Sequence, residues 1–177
     1  TRETLDGITH FIDRGYNLCI NHGNGPQVGN ELLRMDLTHN KVPPIPLGIC
    51  VAGTQGTIGY MIQQSLQNKL RDLNIDREVV TLVSQVIVDE NDPSITKPSK
   101  FVGARYSKKE ALSLAKKFHW IIKEQEPNLW RRVVPSPMPK YIMHGKSIKS
   151  LVDRGTIVIA SGGGGIPVFN NSDGNLE

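Results

Sequence analysis

Only two of the 177 residues are cysteine, Cys19 and Cys50, each within an apolar or glycine-rich segment and neither at metal-ligand spacing. That scarcity excludes a disulfide framework and a cysteine-built zinc site, and it suits a reducing compartment. No run approaches the roughly 20 consecutive apolar residues of a membrane-spanning helix. The opening Thr-Arg-Glu-Thr-Leu-Asp has no signal-peptide character, so the expected location is cytoplasmic, with no membrane partner. Aromatic residues make up 6% of the chain, and no aromatic–basic motif of an RNA-recognition type occurs. The formal charge is a small +4. Its distribution is uneven: Lys97 to Arg132 holds ten basic and three acidic residues, a local +7, against −3 elsewhere. That segment reads as the solvated face of a helix around Ser107 to Lys123, compatible with a small polyanionic substrate and not requiring nucleic acid. Asp89 and Asp92 read as turn and cap residues, so no metal site is expected.

What the chain does have is a glycine turn between a strand and a helix. Tyr16 to Ile20 is a short apolar run that predicts a buried strand. Asn21-His22-Gly23-Asn24-Gly25-Pro26-Gln27-Val28-Gly29 follows, with Pro26 suited to a first helical position and Val28, Leu32, Leu33 and Met35 at helical spacing. Such a junction gathers unpaired backbone N–H groups and the positive end of a helix dipole at one point, which attracts anions. Gly23 and Gly25 leave no Cβ between backbone and ligand, and Asn24 adds an amide donor. The spacing is neither the dinucleotide fingerprint nor a Walker loop. Taken alone, the turn is equally a tight structural connection. Beside it, His22 is expected as a neutral histidine hydrogen-bonded to backbone.

The remaining elements predict an α/β protein. An amphipathic helix carrying Leu5, Ile8, Phe11 and Ile12 precedes the first strand; 41–46 is a proline-rich loop; Gly53 to Tyr60 opens a second helix with Ile58, Met61, Ile62, Leu66 and Leu70 on its buried face. Glu78 to Asp89 reads as one long β-branched strand. From Asp92 to about Pro139, basic residues, prolines and one central helix suggest an inserted subdomain, with Arg131 and Arg132 either pairing with anions or, as the preferred reading, anchoring it. A short helix closed by Gly155 and a buried strand, Thr156 to Ala160, lead into four glycines, Gly162 to Gly165.

Five segments in one order resemble the carbamate kinases of the amino-acid kinase family: HGNGPQVG at 22–29, GTQGTIGY at 53–60, SQVIVDENDPSITKPSKFVG at 84–103, RRVVPSPMP at 131–139 and IASGGGGIPV at 159–168. The resemblance implies a three-layer α/β/α sandwich with a mostly parallel sheet, incomplete at both ends. It places a carbamate- and phosphate-binding core at 1–91 and 140–177 and a lid-like insertion at 92–139. It implies reversible phosphoryl transfer between ATP and carbamate, run towards ATP in arginine fermentation, by a homodimer whose substrates are small molecules. ATP or ADP with Mg2+ would bind a C-terminal half that this chain does not encode. By the same resemblance Lys100 is the cationic clamp and catalytic residue, and Gly23, Asn24, Gly25, Gly162 and Gly163 line the phosphate site. The lid motif departs from the family's Pro-Thr-Lys-Pro-Ile-Gly, reading Pro98-Ser99-Lys100-Phe101-Val102-Gly103, and His144 stands where an acidic residue is expected. A first strand with a Gly-Gly-Asn turn is also expected outside the chain, leaving unpaired sheet edges and no independent activity. The alternative is a non-catalytic anion-binding or interaction fragment, or a subunit needing a second polypeptide.

Overall fold

The computed structural model describes Leu5 to Glu177 apart from His39 and Pro44. Thr1–Thr4, at the start of the expected core segment, and Pro44, in the expected 41–46 loop, therefore lie outside the described residues. The chain divides into two compact units. The first comprises Thr1–Gly23, Ala52–Val86 and Ile142–Ile166; the second comprises Asn24–Val51, Ile87–Tyr141 and Pro167–Glu177.

In the first unit three short strands, β1 (Cys19–Ile20), β2 (Val79–Thr81) and β8 (Ile157–Ile159), form a parallel sheet in the order β1-β8-β2. Strand β8, central and buried on both sides, is Ile-Val-Ile without a polar residue, as a doubly covered parallel strand requires. Its Ile157 and Ile159 pack with Leu66 and Leu70 of helix α3 (Leu47–Asp72), with Val79, and with Leu5 and Ile12, the latter from helix α1 (Asp6–Asp13). Gly15 ends α1 at φ 76 with its N–H on Ile12 O, 2.9 Å. Helix α6 (Gly145–Asp153) ends in the same way, the Gly155 N–H on Val152 O at 2.9 Å and φ 90.

The second unit is built on helix α2 (Gly25–Thr38) and an antiparallel sheet of β4 (Lys100–Tyr106), β5 (Ile122–Glu126) and β6 (Leu129–Val134) in the order β4-β6-β5. Val28 and Leu32 of α2 are buried against Val102, Val134 and Cys50. Helix α5 (Lys108–Phe118) starts in a capping box, Ser107 Oγ accepting from the Glu110 N–H and Glu110 Oε2 from the Ser107 N–H. A single-turn α4 (Pro93–Thr96) is capped by Asp92, whose Oδ1 accepts from the Ser94 N–H at 2.8 Å. The short strands β3 (Gln85–Ile87), β7 (Tyr141–Ile142) and β9 (Ile166–Val168) form a third sheet, ordered β7-β3-β9.

The α/β class and the parallel sheet agree with the sequence reading. Several element boundaries differ. The buried strand expected over Tyr16 to Ile20 is confined to Cys19–Ile20, with Cys19 exposed and Ile20 half-buried. The strand expected over 78–89 is broken into β2 and β3, because the buried side chain of Gln55 takes both backbone groups of Ser84: Nε2 donates to Ser84 O at 3.1 Å, and Ser84 N donates to Oε1 at 2.7 Å. The helix expected from Gly53 begins at Leu47, because Pro46 O is free to accept from Ile49 N and Cys50 N. The helix expected over 107–123 stops at Phe118, where His119 turns to φ 54 and the chain enters the β5–β6 hairpin.

Candidate functional site

Strand β1 hands the chain to Asn21-His22-Gly23, and β8 hands it to Ser161–Gly165. Because β1 and β8 are hydrogen-bonded neighbours running the same way, both loops leave the same end of the first unit's sheet. They are clipped together. The Asn21 side-chain amide donates to Ser161 O at 2.7 Å, and the Gly163 N–H donates to His22 O at 2.7 Å. The His22 ring lies on Gly162, where an added Cβ would fall 2.4 Å from Cε1 and Nε2. Only glycine fits there. Ser161 enters the loop at φ 55, and Gly163, Gly164 and Gly165 all have positive φ, so the four-glycine run meets a backbone demand as well as a spatial one.

His22 is hydrogen-bonded to backbone, as expected. Its Nδ1 lies 3.0 Å from Gly23 O; a carbonyl only accepts, so Nδ1 is the donor of this bond. Nε2 is buried with no hydrogen-bond partner among the described residues.

In the second unit, Asn24 is 5% exposed and precedes α2 directly, with its carbonyl accepting from the Val28 N–H at 2.9 Å. The helix starts at Gly25, one residue before the expected Pro26. The backbone amides of Gly25 and Gln27 donate to no backbone carbonyl among the described residues, and with the helix dipole they face out of this end of α2. Gln27 escaped the sequence reading, although any residue in the first turn after a glycine loop presents its N–H in this way.

Lys100 opens β4 with its side chain exposed and without a hydrogen bond or ion pair among the described residues. Its strand is fixed from behind. Lys100 pairs with Val134, and Val102 with Arg132. The register then shifts between Val102 and Tyr106, where Gly103 sits at φ 74. Arg131 Nη2 donates to the Gly103 carbonyl at 2.8 Å and Nη1 to Gln125 Oε1 at 3.1 Å. Arg132 donates to Asp36 Oδ2 at 3.1 Å. Both arginines therefore anchor the sheet, as expected from their place in the chain. Asp92 and Asp89 are turn and cap residues: the Met138 N–H and Ser94 hold the Asp92 carboxyl below the usual carboxylate range, and Lys140 at 2.9 Å does the same for Asp89. No three His, Cys, Asp or Glu side chains among the described residues converge as a metal site. Nor is any helix among them long and apolar enough to cross a membrane. His144 adopts φ 59 ahead of α6 without a side-chain cap, and nothing in the structure explains its choice over an acidic residue.

No family model matches the chain. Among known proteins it is similar to the carbamate kinase of Pyrococcus furiosus, 50% identical over 178 residues that cover 99% of this chain and 56% of the relative. A carbamate kinase of Staphylococcus epidermidis is 45% identical with 99% and 57% covered. Among solved structures, carbamate kinase from Giardia lamblia bound to citric acid superposes with a TM-score of 0.93 at 36% identity, covering 99% of this chain and 57% of that one. The same enzyme bound to AMP-PNP gives 0.85, covering 99% and 56%. The chain spans about half the length of the curated relatives it matches.

Proposed function

The chain belongs to the carbamate kinase family, and from that premise we propose that it carries the carbamate- and phosphate-binding part of a kinase that moves a phosphoryl group between carbamoyl phosphate and ADP. The observation that carries the proposal is the end of α2: the Gly25 and Gln27 amides, which donate to no backbone carbonyl among the described residues, follow directly on a glycine turn.

The chemistry asks for little else from this part of the protein. A carbamate oxygen is already an anionic nucleophile, so neither a serine nor a general base is needed. The barrier lies in bringing two anions together and stabilising the charge on the phosphoryl oxygens in flight. Backbone donors do this without reorganising. In this reading the phosphate-binding residues are Gly23 and Gly162 on the first unit and Asn24 and Gly25 on the second, where Lys100 supplies a point charge. The Gly163 amide, directed to His22 O, holds the two loops together. The proposal also covers 1–91 with 140–177 as the core, 92–139 as a lid over carbamate, ATP or ADP with Mg2+ as co-substrate bound through residues outside this stretch, a homodimer, and a cytoplasmic setting for arginine breakdown. The AMP-PNP complex of the Giardia lamblia relative supports nucleotide use.

Titrating carbamoyl phosphate into the 177-residue chain by calorimetry tests the half-site. Saturable binding is expected, weakened about tenfold or more in Lys100→Ala, since a charge-assisted contact to phosphate contributes about 1.5–3 kcal/mol. The stretch assayed alone should form no ATP from ADP and carbamoyl phosphate. Absence of binding to the unaltered chain would overturn the half-site, and ATP formation would overturn the assignment of nucleotide binding to residues outside it.

A further inference from the structure

The donors at the start of α2 and the Lys100 amine lie on different elements of the second unit, and the proposed site works only if their separation is fixed. Three contacts set it. The closest is backbone against backbone: a Cβ on Gly29 would lie 2.1 Å from both Cα and N of Gly103. The second is aliphatic, Val28 and Leu32 against Val102 and Val134. The third is polar and lies further along the helix. Asp36 Oδ2 accepts from Trp120 Nε1 at 2.7 Å and from Arg132 Nη1 at 3.1 Å, while the Arg132 guanidinium lies over the Trp120 ring, 5.1 Å from its centroid. The Asp36 and Arg132 side chains are only 20% and 23% exposed.

The order of these contacts gives the direction of the two elements. Gly29 meets Gly103, and further along both elements Asp36 of α2 bonds Trp120, whose ring centroid lies 6.0 Å from that of Tyr106 at the end of β4. Helix and strand therefore run in the same sense. The segments before the glycine contact, Gly25 on α2 and Lys100 on β4, lie towards one end, and Asp36 lies towards the other. Gly25 is about 6 Å before the contact along the helix and Lys100 about 10 Å before it along the strand. Asp36 is about 10 Å beyond it. A helix resting on a sheet at one close contact can rock about that contact. An anchor at Asp36 removes the rocking, and by lever geometry it suppresses a displacement of similar size at Lys100.

We propose that Asp36 is a positioning residue: by tying α2 to Arg132 of β6 and to Trp120 ahead of β5, it holds Lys100 at its working distance from the Asn24–Gly25 end of the helix. Asp36 touches no substrate. It sits far from the glycine turn in sequence and would pass for an ordinary surface carboxylate. This rests on the proposed half-site, so the test has one readout that uses the ligand and one that does not.

The first readout is a double-mutant cycle on carbamoyl phosphate affinity in the 177-residue chain, with Asp36→Asn, Lys100→Ala and both together. A displaced ammonium forfeits at most what Lys100 itself contributes, so Asp36→Asn is expected to lower affinity by about tenfold, no more than Lys100→Ala does, and to add nothing to Lys100→Ala. Independent, additive losses, or no loss from Asp36→Asn, would overturn the proposal. The second readout is the distance distribution between spin labels at Leu37 and Ser99, with Cys19→Ser throughout. A narrow distribution that broadens in Asp36→Asn supports positioning, and an unchanged one overturns it, whether or not carbamoyl phosphate binds. Failure of the unaltered chain to bind the ligand would count against the half-site alone.

Discussion

Gly29→Ala should be among the most damaging single-methyl changes in the second unit, costing about 3 kcal/mol or more. Helix propensity alone gives the opposite sign, since alanine is favoured over glycine in a helix interior by about 1 kcal/mol. Sterics decide it. The new Cβ would stand 2.1 Å from Gly103 Cα and N and 3.3 Å from Val102 C, all of them backbone atoms, so no side chain can rotate away. Relief requires α2 and β4 to separate, which opens the Val28, Leu32, Val102 and Val134 cluster that the contact seals. Overpacking of this kind costs about 1–3 kcal/mol where side chains can adjust, and here they cannot. Gly103→Ala provides the contrast. A Cβ there meets nothing closer than 3.6 Å, but the residue is at φ 74, so the cost is one residue in the left-handed region, about 1–2 kcal/mol. Urea unfolding of the two variants beside the unaltered chain should rank Gly29→Ala well below Gly103→Ala. A neutral or stabilising Gly29→Ala would mean that the close approach of helix and strand is not a feature of the folded protein.

That contact also marks where sequence reasoning stops. The buried strand expected over Tyr16 to Ile20 is only Cys19–Ile20, with Cys19 exposed. The glycine turn, the capping of α6 by Gly155 and the anchoring parts of Arg131 and Arg132 were legible, because each depends on local chemistry: apolar runs, φ-permissive residues, charges beside a sheet. The strand order β1-β8-β2 was not, since pairing Cys19 with Val158 depends on a partner some 140 residues away that no periodicity indicates. Gly29 was read only as the end of a motif. Its necessity comes from Gly103, which lies in a different motif. Asp36 was missed for the same reason: a carboxylate in a helix shows nothing of a tryptophan 84 positions later. The helix expected over 107–123 overran because Ile121 and Ile122 continue an apolar pattern, while the αL turn at His119, unusual for a non-glycine residue, has no marker in composition. The broken strand at 78–89 failed in a further way. Every residue from Val79 to Val88 suits a strand; what breaks it is a side chain from another element.

That side chain makes Gln55 the residue where the first unit should respond most to loss of a polar group. It is 1% exposed, and its amide pairs with both the N–H and the C=O of Ser84, in the way a neighbouring strand would. Ser84 O has a second donor in the Ile166 N–H at 2.9 Å, so its loss is partly covered. For Ser84 N the Gln55 oxygen is the acceptor. Gln55→Leu keeps most of the volume and removes both bonds, leaving a buried N–H without a partner; the expected cost is about 2–4 kcal/mol, from an orphaned donor plus a lost hydrogen bond. Gln55→Glu separates the two halves of the pair by pH. Protonated, the introduced carboxyl can accept from Ser84 N and donate to Ser84 O, much as the amide does. Ionised, it would be a buried charge set against the lone pairs of a carbonyl oxygen. Its folded-state pKa should therefore lie above the unfolded value of about 4.3. A raised pKa contributes stability that is fully present below the unfolded pKa and is lost as pH rises through the folded one. The gap in unfolding free energy between Gln55→Glu and the unaltered chain should thus be small near pH 4 and widen towards pH 8, while the gap for Gln55→Leu stays constant. Denaturant titrations at several pH values distinguish the two, and a pH-independent gap for Gln55→Glu would show that the amide does not bridge the break between β2 and β3 in solution.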